Sequence, residues 1–345
     1  SIGKPEYVDL DGPLGLNTRV TGTTQCEFVA YPSATVLAQT WDTALAYAMG
    51  LSVGNEAKSM QGLRGWYAPG ANIHRNPFCG RNGEYYSEDG VLSGKMAAGA
   101  VRGAKDMGVY SYVKHFVANE SETFREGLYT FMTEQTLREI YLKPFEIVTK
   151  EGGGNALMTS MNRLGRVWSG ANYGLCTEIL RNEWKFRGTL VTDWLDTNKG
   201  DYMPAYKGIW AGNDLWLNNT NADYSVGNLL DKIPDAQMIA LGQKVVKNVL
   251  WTLIDSEYAK VTYDPDAAIG VGKGAQYNHT WYWYVALVEV ALAAGVGVMA
   301  FFLVKNILNN RKSAVATAGS APEGTVGNSQ PDIAAETEEK PKDES

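Results

Sequence analysis

The stretch Thr189-Leu-Val-Thr-Asp-Trp-Leu-Asp196, TLVTDWLD, ends a short apolar run, Leu190-Val191, on a carboxylate and then an indole. Such a run, bounded by turn-forming and polar residues, reads as a buried strand whose end delivers Asp193 and Trp194 to a surface. Similar runs recur upstream and downstream. Tyr7–Leu10, Gly65–Ala68, Ser111–Lys114, Ala156–Met158 and Ile209–Ala211 are the other strand candidates. Between them lie helical patterns around Asp42–Met60, Gly90–Met107, Thr133–Lys150, Thr177–Trp184 and Ala236–Ile254. Alternating strands and helices of this kind predict an α/β fold built from repeated βα units. Six strand candidates are fewer than an eight-stranded barrel needs, so periodicity leaves barrel and open sheet both possible. In the helix after Thr133, that residue is the cap, Glu134 lies in the first turn, and Pro144 is expected to bend the chain.

Composition narrows the function classes. A net charge of −7 gives no electrostatic footprint for nucleic acid. Aromatic residues make up 11% of the chain, which suits stacking on sugar faces and suits a large core equally well. Cys26, Cys79 and Cys176 are scattered, and only His74, His115 and His279 are present. No CxxC or zinc-ligand spacing results, so buried free thiols are expected, with no metal and no cofactor.

The composition changes sharply towards the C-terminus. Residues 1–255 form the α/β domain, and 256–280 read as a polar, Gly-rich connector. Residues 281–304, WYWYVALVEVALAAGVGVMAFFLV, carry a single charge, Glu289. That length, about 1.5 Å per residue, spans a hydrocarbon core of about 30 Å. Aromatic residues at Trp281–Tyr284 and cations at Lys305, Arg311 and Lys312 predict a single-pass membrane helix in contact with lipid. The same asymmetry puts the C-terminus in the cytoplasm and the large domain outside. Residues 305–345, rich in Ala, Pro, Glu and Ser, are expected to be disordered. The chain opens on a strand-and-turn signal, Tyr7 to Pro13, as if it were a fragment.

Four polar clusters fall at predicted strand ends: Asp11-Gly12-Pro13, Asn72–Asp89 (NIHRNPFCGRNGEYYSED), Val113–Glu126 (VKHFVANESETFRE) and Asp193-Trp194. In α/β barrels the C-terminal strand ends converge on one face and carry the chemistry. Asp, Arg, Lys and His gathered there would clamp a ring of hydroxyls. They would also lower a carboxylate's pKa and keep it ionised. A carboxylate nucleophile with hydroxyl clamps is what glycoside hydrolysis requires.

These residues resemble the barrel domain of family-three glycoside hydrolases, the β-glucosidase group. The resemblance is carried in order by DGPLGL, WYAPGANIHRNPFCGRNGEYYSED, KHFVANESETFRE, TEQTLREIYLKPFE, ALMTSMNRLG, LRNEWKFRGTLVTDW and AGNDLWL. It implies a (β/α)8 TIM-like barrel, here lacking its first element, and a retaining mechanism with a covalent glycosyl–enzyme intermediate. On the matching positions it implies Asp193 as nucleophile. Trp194, Asp11, Arg81, Lys114, His115 and Met158 would line the first sugar subsite. Arg125 lies in the same matching run without an assigned role. Asn17 stands where many members carry Arg, and Met161 where many carry Tyr.

The resemblance also exposes a gap. Two-domain members take their general acid/base Glu from a sandwich domain, and one-domain members use a second His that the loop after Lys114-His115 lacks. Glu120 and Glu122 are the local candidates to replace it. The expectation is therefore the nucleophile-bearing half of a permuted, membrane-anchored β-glycosidase acting on β-linked glucosides. An upstream sandwich domain or partner segment would supply the acid/base. The alternative is a non-catalytic, membrane-anchored carbohydrate-binding protein.

Overall fold

The computed structural model describes residues 7–17, 28–195, 202–217, 236–256 and 280–318. They divide into two compact units, 1–276 and 277–345. In the first, a parallel sheet runs in the order β1 (Val8–Asp11), β2 (Leu63–Tyr67), β3 (Tyr110–Phe116), β5 (Ala156–Thr159) and β8 (Thr189–Val191). Spatial order follows chain order, as repeated βα units with local connections should give. Beside it, β4 (Tyr129–Thr130), β6 (Arg163–Leu164) and β7 (Val167–Trp168) make a small second sheet.

Beyond β8 the parallel arrangement continues through a bridge from Val191 to Leu215, where Thr192 N–H donates to the Leu215 carbonyl at 3.0 Å. Among the described residues no pairing joins this edge back to β1. Ile209–Ala211, expected as a strand, is instead the end of a helix, Ala205–Ala211. Pro204 precedes it and Gly212, at φ 114°, terminates it in the left-handed region that glycine tolerates. The next extended segment therefore lies at Leu215.

The helices cover the sheet for legible reasons. Helices α1 (Thr43–Ala57) and α2 (Gly90–Asp106) start on Asp42 and Asp89, whose carboxylates accept from Ala44 N at 2.8 Å and Leu92 N at 2.6 Å. The two helices approach closely: a Cβ on Gly50 would stand 2.0 Å from the Ala100 carbonyl oxygen. The stretch Thr133–Lys150 is broken where Pro144 predicted a bend. One short turn (Glu134–Thr136) runs into a wide turn (Leu137–Tyr141). Pro144 then occupies the first turn of a new helix, Lys143–Glu151, where its missing N–H costs no bond.

At the N-terminal ends of β5 and β8 a long helix, Ala236–Asp255, is fastened chiefly through the Thr252 hydroxyl and the Asn155 amide. Thr252 Oγ1 donates to the Asn155 carbonyl at 2.8 Å and accepts from Thr189 N at 2.8 Å, with the Thr189 hydroxyl also at 2.8 Å. The Asn155 amide adds bonds to Asp255 at 3.0 Å and Ser256 at 3.1 Å.

In the second unit one helix runs from Thr280 to Ala318. Within it, Ala286–Asn310, mean hydropathy 2.4, is long and apolar enough to cross a membrane by length and composition. The expected disorder from residue 305 is corrected as far as Ala318. No Pro or Gly interrupts the chain between Lys305 and Ala318, so the helix continues. The connector at 257–279 and the tail at 319–345 lie outside the described residues.

Candidate active site

A cavity of about 310 Å³ opens at the C-terminal ends of the parallel strands. Asp11 reaches it from the end of β1, Lys114 and His115 from β3, Met158 from β5, and Asp193 and Trp194 from just beyond β8. Arg81 arrives from the loop after β2. All seven side chains singled out in the sequence thus line one space. Asp9, Tyr67, Glu122, Arg125 and Leu217 complete its wall. The turn after β1 is tight: a Cβ on Gly12, at φ 138°, would meet the Gly15 carbonyl oxygen at 1.6 Å. Asn17 N–H closes that turn on the Asp11 carbonyl at 2.9 Å.

Asp193 is 7% exposed. Its own N–H donates to the Thr159 carbonyl at 3.1 Å, which ties it to the neighbouring strand. Oδ1 accepts the Trp194 N–H at 2.6 Å, whereas the buried Oδ2 has no hydrogen-bond partner. Burial lifts this carboxyl above its ordinary range, and Arg125, the Trp194 N–H, Arg81 and Lys114 offset only part of the rise. A net lowering was expected from the charge cluster. Desolvation outweighs the cations because all three are already engaged by other carboxylates.

Those engagements are specific. Lys114, 4% exposed, places Nζ 2.7 Å from Asp11 Oδ1 and 3.3 Å from Glu84 Oε1. Arg81 grips the same Glu84 through Nε at 2.7 Å and Nη2 at 2.8 Å, the two-pronged arrangement a guanidinium favours. Burial alone would raise the Glu84 carboxyl, but Lys114 and Arg81 outweigh it and hold it below the ordinary range. Arg125 pairs with Glu122 at 3.1 Å.

His115 is held well below its ordinary pKa by burial and by Arg81, Lys114 and Arg125, so the ring is neutral. Arg81 Nη2 donates to Nε2 at 2.9 Å, which places the ring proton on Nδ1, facing Asn72 Oδ1 at 3.2 Å. The 3.9 Å between His115 Nε2 and Asp193 Oδ2 is therefore an approach of two acceptors and no ion pair. The Lys114–His115 and Phe116–Val117 peptides are cis.

The two carboxylates considered as acid/base replacements separate clearly. Glu122 lines the cavity but serves Arg125 and, at 3.6 Å, Arg81. Glu120, 2% exposed, lies outside the cavity wall, and burial pushes it up to about 7. Met161 is fully buried, and its carbonyl accepts from the Tyr202 hydroxyl.

Glu84, Asn72, Asp9 and Tyr67 were not singled out in the sequence. Glu84 and Asn72 belong to the loop already marked as dense in ionisable residues, and Asp9 precedes Asp11 by two positions on the same strand face. Cys176 is buried as expected, Cys79 is half-exposed, and Cys26 lies outside the described residues. Among the described residues no group of His, Cys, Asp and Glu could hold a metal ion.

The cavity thus presents carboxylates, cations and an indole around one unpaired carboxylate oxygen, an arrangement suited to a polyhydroxylated ring. Residues 4–245 match the glycosyl hydrolase family 3 N terminal domain. This chain belongs to glycosyl hydrolase family 3. It is 40% identical over 214 residues to beta-glucosidase A of Butyrivibrio fibrisolvens, covering 62% of this chain and 25% of that protein. Thermostable beta-glucosidase B of Acetivibrio thermocellus is 32% identical over 276 residues, 77% of this chain and 36% of that protein. Among solved structures, beta-glucosidase 3B from Thermotoga neapolitana in complex with glucose superposes with a TM-score of 0.67 at 34% identity. The match covers 76% of this chain and 38% of that one. The chain thus spans 25% to 38% of the length of these family 3 relatives.

Proposed function

We propose that this family 3 chain carries the nucleophile and the first sugar subsite of a retaining β-glycosidase acting on β-glucosides. One observation carries the reading: Asp193, with a buried oxygen left unpaired, stands in a cavity lined by the six other residues implied for a glucose site. The names of the relatives support β-glucosides as the substrate class. Asp193 would attack the anomeric carbon and break the bond to the leaving oxygen. Asp11, Lys114 and Arg81 would hold ring hydroxyls, neutral His115 would line the subsite with both ring nitrogens engaged by Arg81 and Asn72, and Trp194 would face the ring.

A retaining enzyme needs a second carboxyl about 5–5.5 Å from the nucleophile, protonated before attack. Asp9, Asp11 and Glu122 line the cavity but are engaged by the Tyr110 hydroxyl, by Lys114 and by Arg125, so the acid/base is proposed to come from another segment or domain. The sheet is proposed to be part of a TIM-like barrel, a reading supported by its parallel order and by the extra pairing at Leu215. Ala286–Asn310 is proposed as a membrane tether with residues 1–280 on the outer side, a reading supported by its hydropathy and by Lys305, Arg311 and Lys312.

The test is covalent trapping. An activated 2-fluoro-glucoside carries its own good leaving group, so glycosylation of the nucleophile needs no protein acid. Mass addition at Asp193, located by peptide mass spectrometry, is expected. Measurable glucose binding without any labelling would overturn the nucleophile and favour a carbohydrate-binding role.

A further inference from the structure

Behind the cavity wall lies a set of buried polar groups that no substrate could touch. Asn72 is fully buried, and both ends of its amide are engaged. Nδ2 donates to Glu120 Oε1 at 3.3 Å and to the His115 carbonyl at 3.0 Å. Oδ1 accepts from His115 N at 2.7 Å and faces Nδ1 at 3.2 Å. Glu120 Oε1 also takes the Ile73 N–H at 3.4 Å, so this one oxygen joins the loop after β3 to the loop after β2.

The orientation of the amide is dictated by this surround. With the amide reversed, its NH2 would face the His115 N–H, and its oxygen would face two acceptor oxygens. The His115 N–H and carbonyl, with the Glu120 acceptor beside them, thus fix which way Asn72 points. Asn72 Oδ1 together with Arg81 keeps the proton on Nδ1, where the Tyr85 hydroxyl also stands at 3.3 Å. With the proton on Nδ1, Nε2 is left to accept from Arg81 at 2.9 Å. Glu120 Oε2 meanwhile is buried with no partner, a costly placement for a group that only filled space.

We propose that Asn72 and Glu120 are positioning residues of the sugar site, supporting His115 in the tautomer that accepts from Arg81. The inference rests on the reading of the cavity as a sugar site. Neither residue lines the cavity, and both act through His115. Glu120, a candidate for the missing acid/base on sequence, is given a different task by its place in the fold.

The test uses the full chain in detergent micelles with 15N-labelled histidine, of which the chain has three. Wild-type His115 is expected to show the neutral, Nδ1-protonated pattern. Glu120→Ala is expected to give a mixture of tautomers and roughly tenfold weaker glucose binding. Glu120→Gln, which keeps the acceptor oxygen, is expected to restore both. An unchanged His115 spectrum in Glu120→Ala, or a Glu120→Gln protein as impaired as the alanine variant, overturns the proposal. If Glu120→Ala does not fold, Asn72→Asp serves instead: a carboxylate against Nδ1 should draw His115 towards the protonated form, and a ring that stays neutral overturns the relay. Failure of the sugar-site reading looks different. The wild-type protein would then bind no glucose while the histidine spectra still respond to Glu120.

Discussion

At the C-terminal ends of β3, β5 and β8 the chain buries Lys114, His115 and Asp193 around open space. At the N-terminal ends of β5 and β8 it buries Asn155, Thr189 and Thr252 against one another. The first set includes a carboxylate oxygen with no partner. In the second, the Thr252 hydroxyl alone serves two strands and a helix. Buried polar groups ordinarily find partners, so a buried group without one marks either strain or a place kept for a ligand. The difference teaches where this sheet spends polar burial on holding itself together and where it withholds it for chemistry.

Replacing Asp193 tests the contrast most severely. Asp193→Asn should reduce 2-fluoro-glucoside labelling by roughly 10⁴-fold or more. It should also raise stability by about 1 kcal/mol, because a buried, incompletely compensated charge is removed. Mass spectrometry and urea unfolding read the two effects. A less stable variant would mean that Asp193 also holds the fold together, and the contrast would break.

The opposite end should respond in the opposite sense. Thr252→Val removes the hydroxyl bonds to Thr189 and Asn155, which keep only their mutual N–H to carbonyl bond at 3.1 Å, at a cost of about 2 kcal/mol. The labelling rate at Asp193 should stay within about twofold, since no cavity residue is touched. A large change in labelling would show the two ends to be coupled.

Glu120 sharpens the comparison through pH. Its folded carboxyl is raised from an ordinary 4.5 to about 7, so the folded state binds this proton more tightly than the unfolded chain does. Its stabilising contribution is full below 4.5 and declines as pH rises through about 7, by on the order of 3 kcal/mol in total. Urea midpoints across that window should fall for the wild type and stay flatter for Glu120→Gln. Equal slopes would indicate that another group governs the decline.

Much of the site was legible because chemistry sits where apolar runs stop. Lys114-His115 follows Val113 directly and Asp193-Trp194 follows Val191 after a single Thr192, so the strand ends announced the residues. Ile209–Ala211 misled for the same reason: an apolar run before a glycine resembles a strand end, whereas Gly212 caps a helix and the extended chain resumes at Leu215. Asn72, Glu84 and Glu120 were beyond reach of pattern. Their partners come from loops 30 or more positions away, as with Lys114 and Glu84, or Asn72 and Glu120 (|i−j| 48). Asp193's raised pKa was misread because residue types reveal which charges meet, while depth of burial decides which influence wins.

The Thr252 fastening bears on where this protein can be cut. The family match ends at residue 245, yet the hydroxyl that ties β5 and β8 to the last helix of the first unit lies beyond it. A chain severed at that limit would keep every cavity residue and lose the clasp beneath them. A cut that is to leave the first unit's clasp intact must therefore lie beyond Ser256, whose own hydroxyl accepts the Asn155 amide.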